Sequence, residues 1–320
     1  MKTTQSNLFD FVEEPKEPST HTEAIKLPKK IETPKPKVIQ KKEAPKQKKT
    51  LPPPEEPQAT DPTPLIHKKS MHNTYTKIVA SIQRYFKEAQ IENAVIGVSG
   101  GVDSALCLKL VVDALGAEHV TGITMPEKGV SSDENLLHAR TLCQFLNVNY
   151  YNVPINKYLT DFLALPWKPS DLAQINTKAR VRMVILYNFA NSRNSLVIGT
   201  SNKSELALGY GTKYGDLAAD LEIIGDLFKD EVYKLAEHVG LPNEFIEKAP
   251  SAELYNGQTD ETELGMTYRE IDIVLRKMEE GLTKEELIGK GISPNIVHKV
   301  FRLYEINKHK LNPPYLIRVK

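Results

Sequence analysis

Apolar positions in this chain follow two regimes that meet near residue 70. In "NTYTKIVASIQRYFKEAQ", residues 73–90, Ile78, Val79, Ile82, Tyr85 and Phe86 recur at helical spacing, which predicts a helix with one buried face. A short apolar run at 94–98 then reads as a buried strand, and the alternation continues. The pattern predicts a helix at 103–115, a strand at 119–125 stopped by Pro126, a helix at 133–146, a strand at 148–155, a helix at 171–191 and a strand at 195–200. Strands that alternate with helices pair in parallel and are covered on both faces. After residue 226 the period is helical throughout, at 229–239, 267–280, 283–289 and 293–307. The expected fold class is α/β, a doubly wound parallel sheet with a helical C-terminal portion, occupying residues 71–320 as one domain.

Residues 1–70 lack this periodicity. They hold 12 of the 21 prolines and no glycine, and they carry 14 lysines against 10 acids. Such a segment buries too little apolar surface to offset the entropy of ordering it, which predicts a disordered Pro/Lys-rich tail. One apolar patch interrupts it, "QSNLFDFV" at 5–12. The pattern Gln5-x-x-Leu8-Phe9, with Phe11 behind it, resembles peptides that dock on DNA sliding clamps, so a tail-binding partner is an expectation alongside chance.

Charge narrows the function classes. The tail is +4 and the remainder, 28 basic against 31 acidic residues, is −3, for a net +1 overall. That balance argues against a nucleic-acid partner for the folded part and against an anionic membrane surface. No apolar run is long enough to cross a bilayer. Cys107 and Cys143 have apolar neighbours and no zinc-ligand spacing, which fits a reducing, cytoplasmic compartment.

The chemistry is concentrated in "AVIGVSGGVDSAL", residues 94–106. A buried strand leaves through Ser99, Gly100 and Gly101, and a helix opens at once with Val102, Asp103 and Ser104. In open parallel sheets, ligands sit where strands end and helices begin. Two glycines let the backbone turn sharply and approach an anion, and the first N–H groups of the helix point the same way. No Gly-Lys-[Ser/Thr] follows, so this is not a Walker loop. Asp103 in such a loop reads either as a helix cap or as a magnesium ligand placed between carboxylate and polyphosphate. A serine–glycine–glycine turn followed by Asp-Ser at a strand–helix junction resembles the pyrophosphate-loop ATPases, which split ATP between the α and β phosphates.

Five blocks in order make the resemblance specific: "SGGVDSA" (99–105), "NTKARVRM" (176–183), "GTSNKSELALGYGTKYGD" (199–216), "DLFKDEVY" (226–233) and "APSAELYNGQTDETELGMTY" (249–268). Residues 75–312 resemble ammonia-dependent NAD synthetases. The resemblance implies an adenine nucleotide alpha hydrolase-like fold and an ATP-dependent amidation of deamido-NAD that passes through an acyl-adenylate. It implies Asp103 and Lys229 as catalytic groups. The implied ATP contacts are Ser99, Gly100, Gly101, Val102, Asp103, Ser104, Met125, Arg182, Thr200, Lys229 and Ser251. Asn176, Arg180, Lys213, Asp216 and Asp220 are implied for the dinucleotide, and Asp103 with Glu205 for Mg²⁺. It further implies a homodimer. With only a cysteine-free tail ahead of the core, ammonia, used directly or delivered by a separate protein, is the expected nitrogen source. The competing readings are another pyrophosphate-loop ligase, such as a tRNA-modifying enzyme or a GMP synthetase, and a tail-mediated interaction protein with an inactive core.

Overall fold

The computed structural model describes residues 63–246 and 259–319. The first helix, α1 (Thr63–Ala89), starts ten residues before its predicted beginning. Pro64 sits in its opening turn, where a missing N–H costs nothing, so a proline that reads as tail composition is also a legal helix start. Then follow β1 (Asn93–Gly97), α2 (Val102–Leu115), β2 (Val120–Thr124), α3 (Asp133–Phe145), β3 (Asn149–Asn152), the single turn α4 (Asn156–Leu159), α5 (Asp171–Arg193) and β4 (Ser195–Gly199). Each predicted strand and helix of this half is present; β1 is shifted by one residue, and β2, β3 and β4 are shorter than predicted.

The five strands are parallel and ordered β3-β2-β1-β4-β5, where β5 is the two-residue Leu221–Glu222. Side-chain alternation along β1 divides the core. Ala94 and Ile96 face a layer built by α1, α2, α3 and the later helix α7 (Lys229–His238), while Val95, Ile123 and Val197 face Ala190 and Leu186 of α5. Both faces are thus covered, as a parallel sheet requires. β1 lies between β2 and β4, so the chain order reverses there. The crevice outside the carboxyl ends of β1 and β4 is the topological switch point.

The single turn α8 (Asn243–Ile246) adds Phe245 to the first of these layers, and the remaining elements form a separate helical layer: α6 (Lys203–Leu208), α9 (Asp260–Leu264), α10 (Tyr268–Glu279), α11 (Lys284–Gly289) and α12 (Pro294–Asn307). Leu208 and Phe228 join Leu264, Ile271, Leu275, Leu287 and Val300 in a second apolar core beside the switch point. The predicted positions of α7, α10, α11 and α12 hold to within one residue at each end. Strand β5 and the short α4, α8 and α9 carry no periodic signal and are found only in the structure. Among the described residues no helix is long and apolar enough to cross a membrane.

Candidate active site

A cavity of about 780 Å³ opens at the switch point. Its floor is the turn between β1 and α2. Gly100 adopts φ +88, and a Cβ there would lie 2.5 Å from the backbone oxygen of Asn135, so no other residue fits this turn without displacing α3. Ser99 and Ser104 lock the turn from within. Their hydroxyls lie 3.0 Å apart, the Ser99 N–H donates to Ser104 Oγ and the Gly101 N–H donates to Ser99 Oγ. Gly101 is the N-cap of α2 and supplies no side-chain cap. The first-turn N–H groups of α2 are therefore open to an anion, with the positive end of the helix dipole behind them.

Three charged groups meet beside that turn. Lys229, only 1% exposed, is the first residue of α7 and points its ammonium at Asp103 Oδ2 (2.6 Å) and Glu205 Oε1 (3.3 Å). Burial works against the lysine charge, but the two carboxylates outweigh it and hold its pKa above the ordinary value. For Glu205 burial dominates. Together with its neighbours Asp103 and Asp260 it overcomes the pull of Lys229 and pushes the carboxyl up to about 7.

Asn202, fully buried, holds the cluster together. Its Oδ1 caps α6 by accepting the Glu205 N–H, the Glu205 carboxylate returns to the Asn202 N–H, and Asn202 Nδ2 donates to Asp103 Oδ1 (2.9 Å). One capping box thus fixes both carboxylates. The Tyr268 ring lies 4.9 Å from the Lys229 ammonium, and its hydroxyl reaches Glu205 and Asp260.

The donor set suits Mg²⁺. Asp103 and Glu205 are hard oxygen donors next to an anion-binding turn, and in this structure both are turned to the Lys229 ammonium. Among the described residues no group of three or more His, Cys, Asp or Glu side chains is arranged to hold a metal by itself. A metal here would complete its shell with phosphate and water oxygens, as Mg²⁺ commonly does.

The opposite wall is basic. Arg182 Nε donates to the Met125 carbonyl (3.0 Å), and Arg180 Nη2 to the Lys213 carbonyl (3.3 Å), so the two arginines diverge as their spacing predicts. Asn176 Oδ1 accepts from the Thr212 hydroxyl, and Asp216 Oδ1 from the Thr212 N–H. Residues 209–213 and the end of the chain clamp each other. Lys310 donates to the carbonyls of Gly209 and Gly211, and Lys213 donates to those of His309 and Asn312.

Most of the residues singled out in the sequence line this one cavity: Ser99, Gly101, Val102, Asp103, Ser104, Met125, Asn176, Arg180, Arg182, Thr200, Glu205, Lys213, Asp216 and Lys229. Gly100 shapes the turn without lining it. Asp220 has a contact of its own within the fold. It lies outside the cavity lining at the sheet edge, where its carboxylate accepts from the Val197 N–H (2.8 Å) and the Tyr187 hydroxyl. Ser251 and the Gln5–Phe11 patch lie outside the described residues. Asn202, Tyr268 and His309 were not assigned a role from the sequence, although Asn202 and Glu205 form an N-x-x-E capping signature.

A parallel α/β sheet with an uncapped helix start, two carboxylates and a buried lysine at its switch point defines a nucleotide-binding enzyme. The NAD synthase family matches residues 74–314, and the chain belongs to it. The NH(3)-dependent NAD(+) synthetase of Methanocaldococcus jannaschii is 43% identical over 255 residues, 78% of this chain and 98% of that protein. Among solved structures, the NH3-dependent NAD synthetase of Campylobacter jejuni in complex with the nitrate ion is similar with TM-score 0.67 and 35% identity, over 78% of this chain and 99% of that one. An NMN synthetase from Francisella tularensis is similar with TM-score 0.69 and 31% identity, over 77% and 98%.

Proposed function

We propose that this chain is a ligase that amidates deamido-NAD with ammonia at the expense of ATP, releasing NAD, AMP and pyrophosphate. The observation that carries this reading is the convergence of Asp103, Glu205 and Lys229 beside the open start of α2, facing a basic wall in the same cavity. Family membership supports it.

The chemistry follows from the two ends of the site. A carboxylate is a poor electrophile, so its oxygen first attacks the α-phosphorus of ATP and pyrophosphate departs. Ammonia then attacks the acyl carbon of the adenylate, loses a proton and expels AMP. The turn at 99–104 and the first N–H groups of α2 hold the departing pyrophosphate. Lys229 places a fixed, desolvated charge where negative charge develops on the phosphoryl oxygens. Thr200 and Arg182 border the nucleotide. Arg180, Lys213, Asn176 and Asp216 receive the dinucleotide, with His309 and Lys310 adjoining them on the basic wall. Asp103 and Glu205 would hold Mg²⁺, which supplies charge neutralisation between the carboxylates and the polyphosphate.

The proposed assembly is a homodimer. Helix α5 lines the cavity yet leaves Leu172 and Val184 largely exposed, an apolar face suited to a second copy. The proposed compartment is the cytoplasm, in keeping with two buried, free cysteines.

The test is an incubation of the full chain with ATP, Mg²⁺, ammonium and deamido-NAD, with NAD, AMP and pyrophosphate expected in equal amounts. ADP as the product, or glutamine serving as well as ammonium, refutes the reading. A parallel arm with nicotinic acid mononucleotide separates it from the activity named for the Francisella neighbour.

A further inference from the structure

The catalytic lysine stands at the first position of α7, and that helix begins badly. Its N-cap is Phe228, a residue with no side-chain oxygen to accept from the first-turn N–H groups. Two donors at this start are satisfied from elsewhere. The Lys229 N–H donates to Ser204 Oγ (3.0 Å), and the Asp230 N–H donates to Asp272 Oδ2 (3.1 Å). Ser204 in turn donates its hydroxyl to Asp272 Oδ1. Ser204 is fully buried and Asp272 nearly so, at 3% exposed.

One carboxylate on α10 therefore caps α7 from a distance and, through Ser204, ties it to α6. These two short elements carry Lys229 and Glu205. Asp272 does not line the cavity, and its carboxylate is directed at the start of α7 rather than at the site.

Asp272 belongs to a stripe. Tyr268, Asp272 and Arg276 are spaced at i, i+4 and i+8, so they share one face of α10. Tyr268 packs its ring on the Lys229 ammonium, and Arg276 pairs with Asp230 and Glu231 in the first turn of α7 while its guanidinium lies 4.1 Å from the Phe228 ring centre. All three contacts from α10 land on the segment that presents Lys229.

The geometry points to Asp272 as a positioning residue for the reaction: it acts through Ser204 and the start of α7 to hold the Lys229 ammonium against Asp103 and Glu205. This rests on the ligase activity proposed above. A negative group is also favourable at the positive end of a helix, so the same carboxylate serves the fold. A rate test must therefore separate position from stability.

Asp272→Asn preserves volume but cannot accept from both the Ser204 hydroxyl and the Asp230 N–H. Leu287→Ala, a cavity-forming change in the same helical layer and away from the site, is the stability control. Both full-length variants are assayed at equal margins below their own melting temperatures, with saturating ATP, Mg²⁺, ammonium and deamido-NAD. Misplacing a catalytic group by about 1 Å costs up to roughly a hundredfold, so Asp272→Asn is expected to lose at least about fivefold in kcat relative to Leu287→Ala, with the KM values for both nucleotides within about twofold of the parent.

A smaller loss, or a loss carried in KM, overturns the inference while the parent enzyme's turnover keeps the ligase reading intact. An inactive parent overturns both. Ser204→Ala removes the link and keeps the carboxylate. It is expected to show the same kcat-only defect, and a normal kcat for it also overturns the inference.

Discussion

The two walls of the cavity are built on opposite plans. The wall at the carboxyl end of β1 is local: residues 99–104 make the turn, lock it with Ser99 and Ser104, and open α2 with Asp103, all within one short stretch. The rest of the site, both beside that turn and on the basic wall, is assembled from distant pieces and the contacts that support them. Lys229 contacts a carboxylate 126 residues earlier, Ser204 bonds Asp272 68 residues later, and Lys213 reaches Asn312 across 99 residues. The local wall provides an anion site that backbone geometry alone can specify. The assembled wall provides the charges, and its accuracy depends on how three helices meet.

The comparison can be broken most sharply at the point where the walls touch. Asp103→Asn removes one carboxylate from Lys229, and turnover of NAD is expected to fall roughly a hundred- to thousandfold, with the melting temperature within a few degrees of the parent. A rate within tenfold of the parent would show that the local wall works without the ion pair.

Gly100→Ala tests the local wall alone. The φ of +88 and the Asn135 backbone leave no room for a methyl, so stability should drop by roughly 1–3 kcal/mol in a denaturant titration and kcat by about tenfold.

A third change tests burial beneath Gly199. Glu222 lies under Gly199, accepts from the Ser201 N–H, and is pushed up to about 7 by burial, against the pull of that hydrogen bond. A carboxyl raised in the folded state stabilises the fold below its unfolded pKa, and that contribution is lost as pH rises through the folded value. Glu222→Gln mimics the protonated form. It should therefore gain on the parent between the ordinary carboxylate range and pH 7 or just above, by roughly 1–2 kcal/mol in melts across that window. Parallel curves would refute it.

The smallest effect is expected at the far end of the assembled wall. Lys213→Ala loses two exposed bonds to backbone carbonyls, worth about 1 kcal/mol together, so the KM for deamido-NAD should rise about fivefold with kcat little changed.

What the sequence made legible follows the same division. The β1 turn could be read because its chemistry lies in adjacent residues whose spacing has a backbone cause. The α/β alternation and the helices at 267–280 and 293–307 could be read because their periods are strong. Glu205 and Lys229 came from the resemblance, since each alone looks like a surface residue on a short helix. Asp272 and Tyr268 gave no signal: on α10 they fall on the apolar face of a helix, and only packing shows that this face meets α6 and α7. The bond by which the Asp220 carboxylate accepts from the Val197 N–H of β4 gave no signal either, because it joins residues far apart in the chain. The two-residue β5 is too short to have a period at all.

The missing cap at the start of α2 has a consequence for the life of the protein as well as for its reaction. A helix that leaves its first donors to a substrate is completed only when the substrate arrives, so purified, empty protein is the least durable form of this molecule. Resistance to heat and to proteases should track nucleotide supply, rising by mass action as ATP fills the turn and falling when the pool is drained.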